Sequence, residues 1–355
     1  MALALTLGRR GQGNTWPNPA VGCVLVRDGR IVGRGWTQPG GRPHAETEAL
    51  KQAGDLARGA TAYVTLEPCA HHGQTPPCAE ALVAAGIVRV VVAVEDSDSR
   101  VAGKGLALLR GAGIEIEIGV MADEAAHDLQ GFFLKTDLGR PFLTLKLAES
   151  LDGRIATATG ESQWITGPQS RRLVHAMRAS HDAVMVGGGT ARVDDPSLTV
   201  RELGVDHQPV RVVVSRRLDI PLLGNLARTA RDVPVWIAHG RDADSLLIDT
   251  WRDLGAVMLP CDLQGAHLSP ASVLQALGGQ GMTRVFCEGG GALAASLLVA
   301  DLVDELVTFH AGLALGAEGF AAIGPMGIEK LSNAPRYRLA ESQKVGADLM
   351  TVWRR

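Results

Sequence analysis

The sequence predicts an α/β protein built from two layered domains, and three observations carry that prediction. Its 355 residues exceed what a single hydrophobic core of ordinary size organises. Short apolar runs of strand character alternate with helical patterns through both halves, and the break Leu138-Gly139-Arg140-Pro141 separates the halves. The domains are therefore placed at residues 1–138 and 139–355.

Composition narrows the class further. Hydrophobic residues make up 46% of the chain, enough for two sizeable cores, and the net charge of -3 gives no broad basic field. Nucleic acid and anionic membrane are thereby disfavoured as partners. From Met1 to Arg10 the charges follow the apolar residues, and no apolar run reaches membrane-spanning length, so a cytoplasmic protein is expected. Five cysteines are few and odd in number, which argues against a disulfide framework. Cys23, Cys261 and Cys287 stand in or beside apolar runs and read as core residues.

In the first half, residues 2–10 read as a short helix that Pro17-Asn18-Pro19 interrupts. Residues 21–26 and 31–36 read as a hairpin about Asp28-Gly29. Asn18 lies just before the first of these strands, where its amide either reads a polar ring edge or serves its own turn. Ala45, Ala49, Leu50 and Ala53 have helical spacing, which places His44 and Glu46 in a first helical turn. A buried strand over 60–66 follows, then a loop, then a helix that Cys78 opens and Gly86 ends, with the Cys78 thiolate stabilised at the helix start. Residues 88–94 form another strand, 105–110 lie in a helix, 114–118 alternate as a half-exposed strand, and 121–137 are a helix.

One imidazole and two thiols hold a metal while leaving a coordination position open, and a carboxylate two residues after the imidazole can move protons there. His44, Glu46, Cys69 and Cys78 supply that set, and His-x-Glu with a later Pro-Cys and a further Cys is the zinc-deaminase signature. Eight residues separate Cys69 from Cys78, where the usual pattern has two. His71 and His72 in that gap compete as ligands, but a thiolate at a helix start suits zinc better. Contact with substrate is the alternative for them, and solvent exposure the plainest.

In the second half, strand-like runs at 142–147, 183–186, 210–214, 233–238, 256–259, 284–287 and 305–310 alternate with helical patterns at 169–178, 245–254, 270–277 and 292–302. Such alternation implies a mainly parallel sheet covered by helices. Glycines cluster at two strand ends, 187–189 before Thr190 and 289–291, where this architecture binds ligands. Gly289 to Ala294 satisfies G-x-G-x-x-A between a strand and a helix, so phosphate can approach the backbone.

Taken together, these motifs resemble a known family. Residues 17–24, Pro43-His44-Ala45-Glu46 and residues 65–78 look like the deaminase half of the bifunctional riboflavin-biosynthesis deaminase-reductase. Residues 145–154, 160–166 and 194–201 resemble its reductase half in the same order, so the similarity spans nearly the whole chain. The resemblance implies a cytidine-deaminase-like α/β/α layered domain followed by a dihydrofolate-reductase-like α/β domain. The first would hydrolytically deaminate 2,5-diamino-6-ribosylamino-4(3H)-pyrimidinone 5′-phosphate, with Zn2+ on His44, Cys69 and Cys78 and with Glu46 as proton carrier. The second would reduce the ribosyl group to ribityl with NADPH. Cofactor contacts carried over by position are Ala148, Trp164, Thr190, Asp194, Ser215 and the turn Gly290, Gly291, Ala292, Leu293, Ala294, Ala295 and Ser296. Substrate contacts carried over are Asn18, His71, Lys146, Ser162, Arg178, Leu198, Arg201 and Glu288. Guanidinium groups at Arg178 and Arg201 match a phosphate in a bidentate way.

The partners expected are a small phosphorylated pyrimidine and further copies of the chain, with neither nucleic acid nor membrane. Two other readings share part of the signature. A nucleic-acid base deaminase needs a cationic track that the charge balance withholds. A zinc-stabilised binding protein without catalysis has no use for Glu46.

Overall fold

The computed structural model describes residues 1–71, 76–98 and 102–355. Contacts divide the chain into two compact units, Met1–Arg140 with Gly281–Thr283, and Pro141–Gln280 with Arg284–Arg355. Both are α/β, as the apolar alternation requires. No described helix is long and apolar enough to cross a membrane.

The first unit is built on five strands, β1 (Gly22–Arg27), β2 (Arg30–Trp36), β3 (Thr61–Leu66), β4 (Arg89–Val94) and β5 (Glu115–Ile118). They lie in the order β2-β1-β3-β4-β5. Asp28 and Gly29 both take positive φ, 51° and 70°, which turns β1 antiparallel onto β2. β1 is also antiparallel to β3, while β3, β4 and β5 run parallel. Helices α1 (Ala2–Arg9), α2 (Ala45–Ala53), α3 (Cys78–Ala84), α4 (Lys104–Gly111) and α5 (Ala122–Leu138) pack on this sheet. Cys23, Ala62, Val64, Val90 and Val92 are fully buried among them, so the core role expected for Cys23 holds.

Helix α2 sits unusually close to β2, and two glycines make that possible. A Cβ at Gly33 would lie 2.2 Å from the Ala49 carbonyl oxygen, and one at Gly35 would lie 2.0 Å from that of Ala45. A strand with side chains there would push the helix outward and carry His44 and Glu46 with it. His44 itself is not in the first turn, as the spacing suggests. It is the N-cap, with φ -72° and ψ 160°, and its ring makes no capping bond because it turns toward two thiols instead.

In the second unit the main strands are β6 (Phe142–Ser150), β7 (Ala183–Gly187), β8 (Val210–Val214), β9 (Val235–Gly240), β10 (Val257–Cys261), β11 (Arg284–Cys287), β12 (Glu305–Ala311), β13 (Arg338–Val345) and β14 (Asp348–Arg354). They form one nine-stranded sheet in the order β10-β9-β8-β7-β11-β6-β12-β14-β13. The first seven in that order are parallel and the last two close it as an antiparallel hairpin. The main helices are α6 (Pro168–Ala179), α7 (Gly188–Asp194), α8 (Ser245–Asp253), α9 (Pro270–Gly279) and α10 (Gly291–Val299). The seven parallel strands are the apolar runs expected from sequence. The hairpin is absent from that reading: nearly all of β13 is exposed, so its side chains show no buried face and no period-2 signal, whereas β14 buries Met350 and Val352. Cys261 and Cys287 are fully buried, as expected.

Candidate functional site

Three elements bring the metal-ligand set together. The α2 N-cap supplies His44, the loop after β3 supplies Cys69, and the first residue of α3 supplies Cys78. Their donor atoms all lie within 4.8 Å of one another. His44 Nδ1 is 3.3 Å from Cys78 Sγ and 3.6 Å from Cys69 Sγ. Among the described residues this is the one group of such side chains clustered tightly enough to hold an ion. Two soft sulfurs and an imidazole nitrogen suit zinc and leave room for a fourth ligand.

The Cys78 backbone N–H donates to Cys69 Sγ at 3.3 Å, so the free amide of the first turn serves the other thiol. The hydrogen bond from the Cys78 thiol, joined by contact with His44, pulls Cys69 down to about 4. The same bond, with burial, pushes Cys78 up. Glu46, in the first turn of α2, is buried at 4% exposure, and burial raises its carboxyl to about 6. A carboxyl poised near neutrality can both take and return a proton.

Glu67 is a residue that the sequence reading left without a role. Its carboxylate is 3% exposed and accepts four backbone N–H groups. Oε2 takes those of Asp96 (3.3 Å) and Gly103 (3.0 Å), and Oε1 takes those of Gly105 (3.0 Å) and Leu106 (3.2 Å). It caps α4 from a distant part of the chain and fixes the direction in which the loop leaves β3 toward Cys69. A carboxylate at the end of an apolar strand, just before Pro68-Cys69, is the signal that marks it. Glu67→Gln is expected to destabilise this unit by about 2–4 kcal/mol, since charged acceptors of backbone N–H groups contribute about 1.5–3 kcal/mol each and one amide oxygen replaces part of the set. A lowered urea midpoint at unchanged slope is the expected reading.

The Asn18 amide is partly engaged by the protein itself. Its amide nitrogen donates to the Gly41 carbonyl at 3.3 Å, and Gly41, at φ 83°, presses against it so closely that a Cβ there would lie 2.0 Å from Asn18 Nδ2. One N–H and the amide oxygen remain available. His71 is exposed. His72 lies outside the described residues.

In the second unit two of the expected cofactor contacts stand at the carboxyl ends of adjacent parallel strands. Thr190 follows β7 and Gly290 follows β11, and a Cβ at Gly290 would come within 3.5 Å of Thr190 Oγ1. Gly290 caps α10 and Gly291 begins it; a Cβ at Gly291 would meet the Ala321 carbonyl at 2.6 Å. Ala292 is exposed and Leu293 and Ser296 are partly so, whereas Ala294 and Ala295 are buried. The bare glycine backbone at neighbouring strand ends is a fit cradle for a dinucleotide. Ala148 lies on β6, paired with Phe309. Trp164 is exposed, with the Arg171 guanidinium 4.6 Å above its ring. Ser162 is half-buried and Asp194 is exposed, while its neighbour Asp195 is bound to the Asn225 N–H at 2.6 Å.

Two of the expected substrate contacts are engaged by the protein itself. Leu198 is 3% exposed, its side chain lies in the core beside Val213 and Leu218, and it offers a ligand only its backbone. Arg178 is already engaged: Nε and Nη2 donate to Glu288 at 2.5 and 3.1 Å, and Nη1 donates to the Thr199 carbonyl at 2.9 Å. Lys146 Nζ lies 3.8 Å from the same carboxylate. Burial pushes Glu288 up, but Arg178 and Lys146 outweigh it and hold it below the usual carboxylate range. Burial lowers Lys146. Arg201 is exposed, and its backbone N–H donates to His175 Nδ1 at 3.3 Å, which puts further basic side chains beside the cluster. One carboxylate beside Arg178, Lys146 and Arg201 leaves a net positive cluster, suited to a phosphate ester.

Comparison with known proteins identifies the family. A profile described as the cytidine and deoxycytidylate deaminase zinc-binding region matches residues 1–94, and one described as the RibD C-terminal domain matches residues 141–351. The riboflavin biosynthesis protein RibD of Escherichia coli K12 is 42% identical over 361 residues, covering 98% of this chain and 96% of the relative. The chain belongs to the RibD family. It is accordingly a bifunctional deaminase/reductase of riboflavin biosynthesis. RibD of Aquifex aeolicus is 39% identical over all of this chain. The solved RibD of Acinetobacter baumannii superposes with a TM-score of 0.88 at 40% identity, covering 99% of this chain and 97% of that one. A Thermotoga maritima structure described as a diaminohydroxyphosphoribosylaminopyrimidine deaminase and 5-amino-6-(5-phosphoribosylamino)uracil reductase gives 0.86 at 32% identity, covering 100% and 97%. Zn2+ and NADPH, the expected cofactors, are consistent with a RibD zinc-binding region and reductase domain.

Proposed function

We propose that residues 1–138 deaminate 2,5-diamino-6-ribosylamino-4(3H)-pyrimidinone 5′-phosphate and that residues 139–355 then reduce its ribosyl group to ribityl. The observation that supports the first step best is the convergence of His44, Cys69 and Cys78 beside a buried Glu46. These three residues would hold zinc, which when bound supplies a Lewis acid that makes water acidic enough to attack near neutral pH. Glu46 carries the proton between that water and the departing amine, and its burial keeps the carboxyl near the working pH. Asn18 and His71 would touch the pyrimidine.

For the second step we assign the nicotinamide cofactor to Ala148, Trp164, Thr190, Asp194, Ser215 and the turn from Gly290 to Ser296. When bound, NADPH supplies the hydride. Lys146, Ser162, Arg178, Leu198, Arg201 and Glu288 would orient the sugar phosphate, Leu198 through its backbone. Arg178 then acts chiefly by fixing Glu288, and Arg201 keeps the phosphate role because its side chain is exposed. Position supplies most of what hydride transfer needs. The enzyme is proposed to work in the cytoplasm as a homo-oligomer, without nucleic acid, in keeping with its slight net negative charge.

Chelator treatment of the full chain separates the two steps. Ammonia release is expected to vanish and to return with added zinc, while NADPH oxidation on supplied deaminated substrate persists. Loss of both activities in a protein that stays folded would refute the division of labour.

A further inference from the structure

At the end of β8, two donors from separate elements converge on one exposed carboxylate. Ser215 Oγ donates to Asp219 Oδ1 at 3.0 Å, and Arg192 Nη1 of α7 lies 2.6 Å from Asp219 Oδ2. The same Nη1 donates to the Asp219 carbonyl at 3.0 Å. Ser215 is buried, whereas the Asp219 side chain is 62% exposed and that of Arg192 46%. Both donors border the first glycines after β7: a Cβ at Gly188 would lie 3.0 Å from Ser215 Oγ and 3.5 Å from Arg192 Nη1. Nearby Arg216 is taken up by Asp242 at 2.6 Å and by the Ala266 carbonyl at 2.7 Å, so it is not the free cation of this corner.

A fixed hydroxyl and a guanidinium aimed at the same point form a site for an anion, and here a side chain of the chain itself occupies it. Among the described residues, Ser215 and Arg192 hold the exposed Asp219 carboxylate, so a stronger anion can displace it. We propose that Arg192 and Ser215 read the 2′-phosphate of NADPH, and that Asp219 stands in for that phosphate until the cofactor arrives. This rests on the assignment of Ser215 and Thr190 to the cofactor site. A phosphate dianion brings more charge and more acceptor oxygens than a carboxylate and wins the exchange. The neutral ribose hydroxyl of NADH cannot break the Arg192–Asp219 pair, so the corner discriminates between the two cofactors.

Calorimetric titration with adenosine 2′,5′-bisphosphate and adenosine 5′-monophosphate tests this on the full chain. The wild type should bind the bisphosphate roughly tenfold or more tightly, the worth of one charge-assisted contact. R192Q should erase that preference while leaving 5′-monophosphate binding unchanged, and D219A should strengthen bisphosphate binding alone. Both side chains are exposed, and circular dichroism checks that the variants fold. The ratio of KM for NADH to KM for NADPH should fall in R192Q and rise in D219A. If R192Q weakens both nucleotides equally, or neither, or if D219A weakens the bisphosphate, the inference is overturned while the cofactor site stands. If the wild type binds neither nucleotide nor NADPH, the cofactor assignment itself fails and the inference with it.

Discussion

Glu46→Gln is expected to keep its zinc and its fold and to lose deamination by a factor of about 10²–10⁴, the range contributed by a positioned general acid-base. The amide is nearly the same size as the carboxyl, so packing around a side chain that is 4% exposed is preserved. What it lacks is the capacity to accept and return a proton. Glu46 is close to the ligands but is not one of the clustered donors, so metal content should not change. Zinc analysis, ammonia release and NADPH oxidation on deaminated substrate, all measured on one preparation, give three readouts: the first and third at wild-type levels, the second lost. Retained ammonia release would remove Glu46 from the mechanism.

The second large effect is expected at Arg178. Arg178→Met leaves Glu288 buried with Lys146 as its remaining partner at 3.8 Å. Breaking a buried ion pair from one side costs about 3–5 kcal/mol, because the remaining charge has lost its compensation. The second unit should therefore unfold at a clearly lower urea concentration, and reduction should fall because Glu288 is no longer held. Adding Glu288→Gln should restore most of the stability without restoring reduction, which separates the structural effect from the chemical one. The pH dependence has a defined sign. Glu288 is held below the ordinary carboxylate value of 4.5, so its contribution is complete above that value and is lost as the pH falls through its lower folded value. The stability gap between wild type and Arg178→Met should thus be full at pH 7 and shrink below pH 4.5. A gap that is constant from pH 7 to pH 3 would show that Glu288 is not what Arg178 stabilises.

Some of this protein is written in local chemistry. His44, Glu46, Cys69 and Cys78 are legible because zinc needs particular donor atoms and the deaminase reaction needs a carboxylate at a fixed offset. The inner parallel strands are legible because a strand buried on both faces must be apolar throughout, and the half-exposed edge strand β10 is legible by its apolar residues alone. β13 is not, since an exposed edge strand places no such demand on its residues. Leu198 and Arg178 show a different limit. The residue type suggests a contact, but whether Leu198 faces the core or Arg178 meets a ligand depends on chain segments far away in sequence.

The sequence by itself determined the fold class, the donor set and the family resemblance, because those follow from residue type and spacing. Tertiary structure alone decided which thiol receives the amide of the α3 first turn, that Glu67 ties four distant N–H groups together, and that Asp219 fills the corner between Ser215 and Arg192. Each of these is a competition for hydrogen-bond partners. Such competitions are settled by distance and burial after folding, and no single residue carries their outcome.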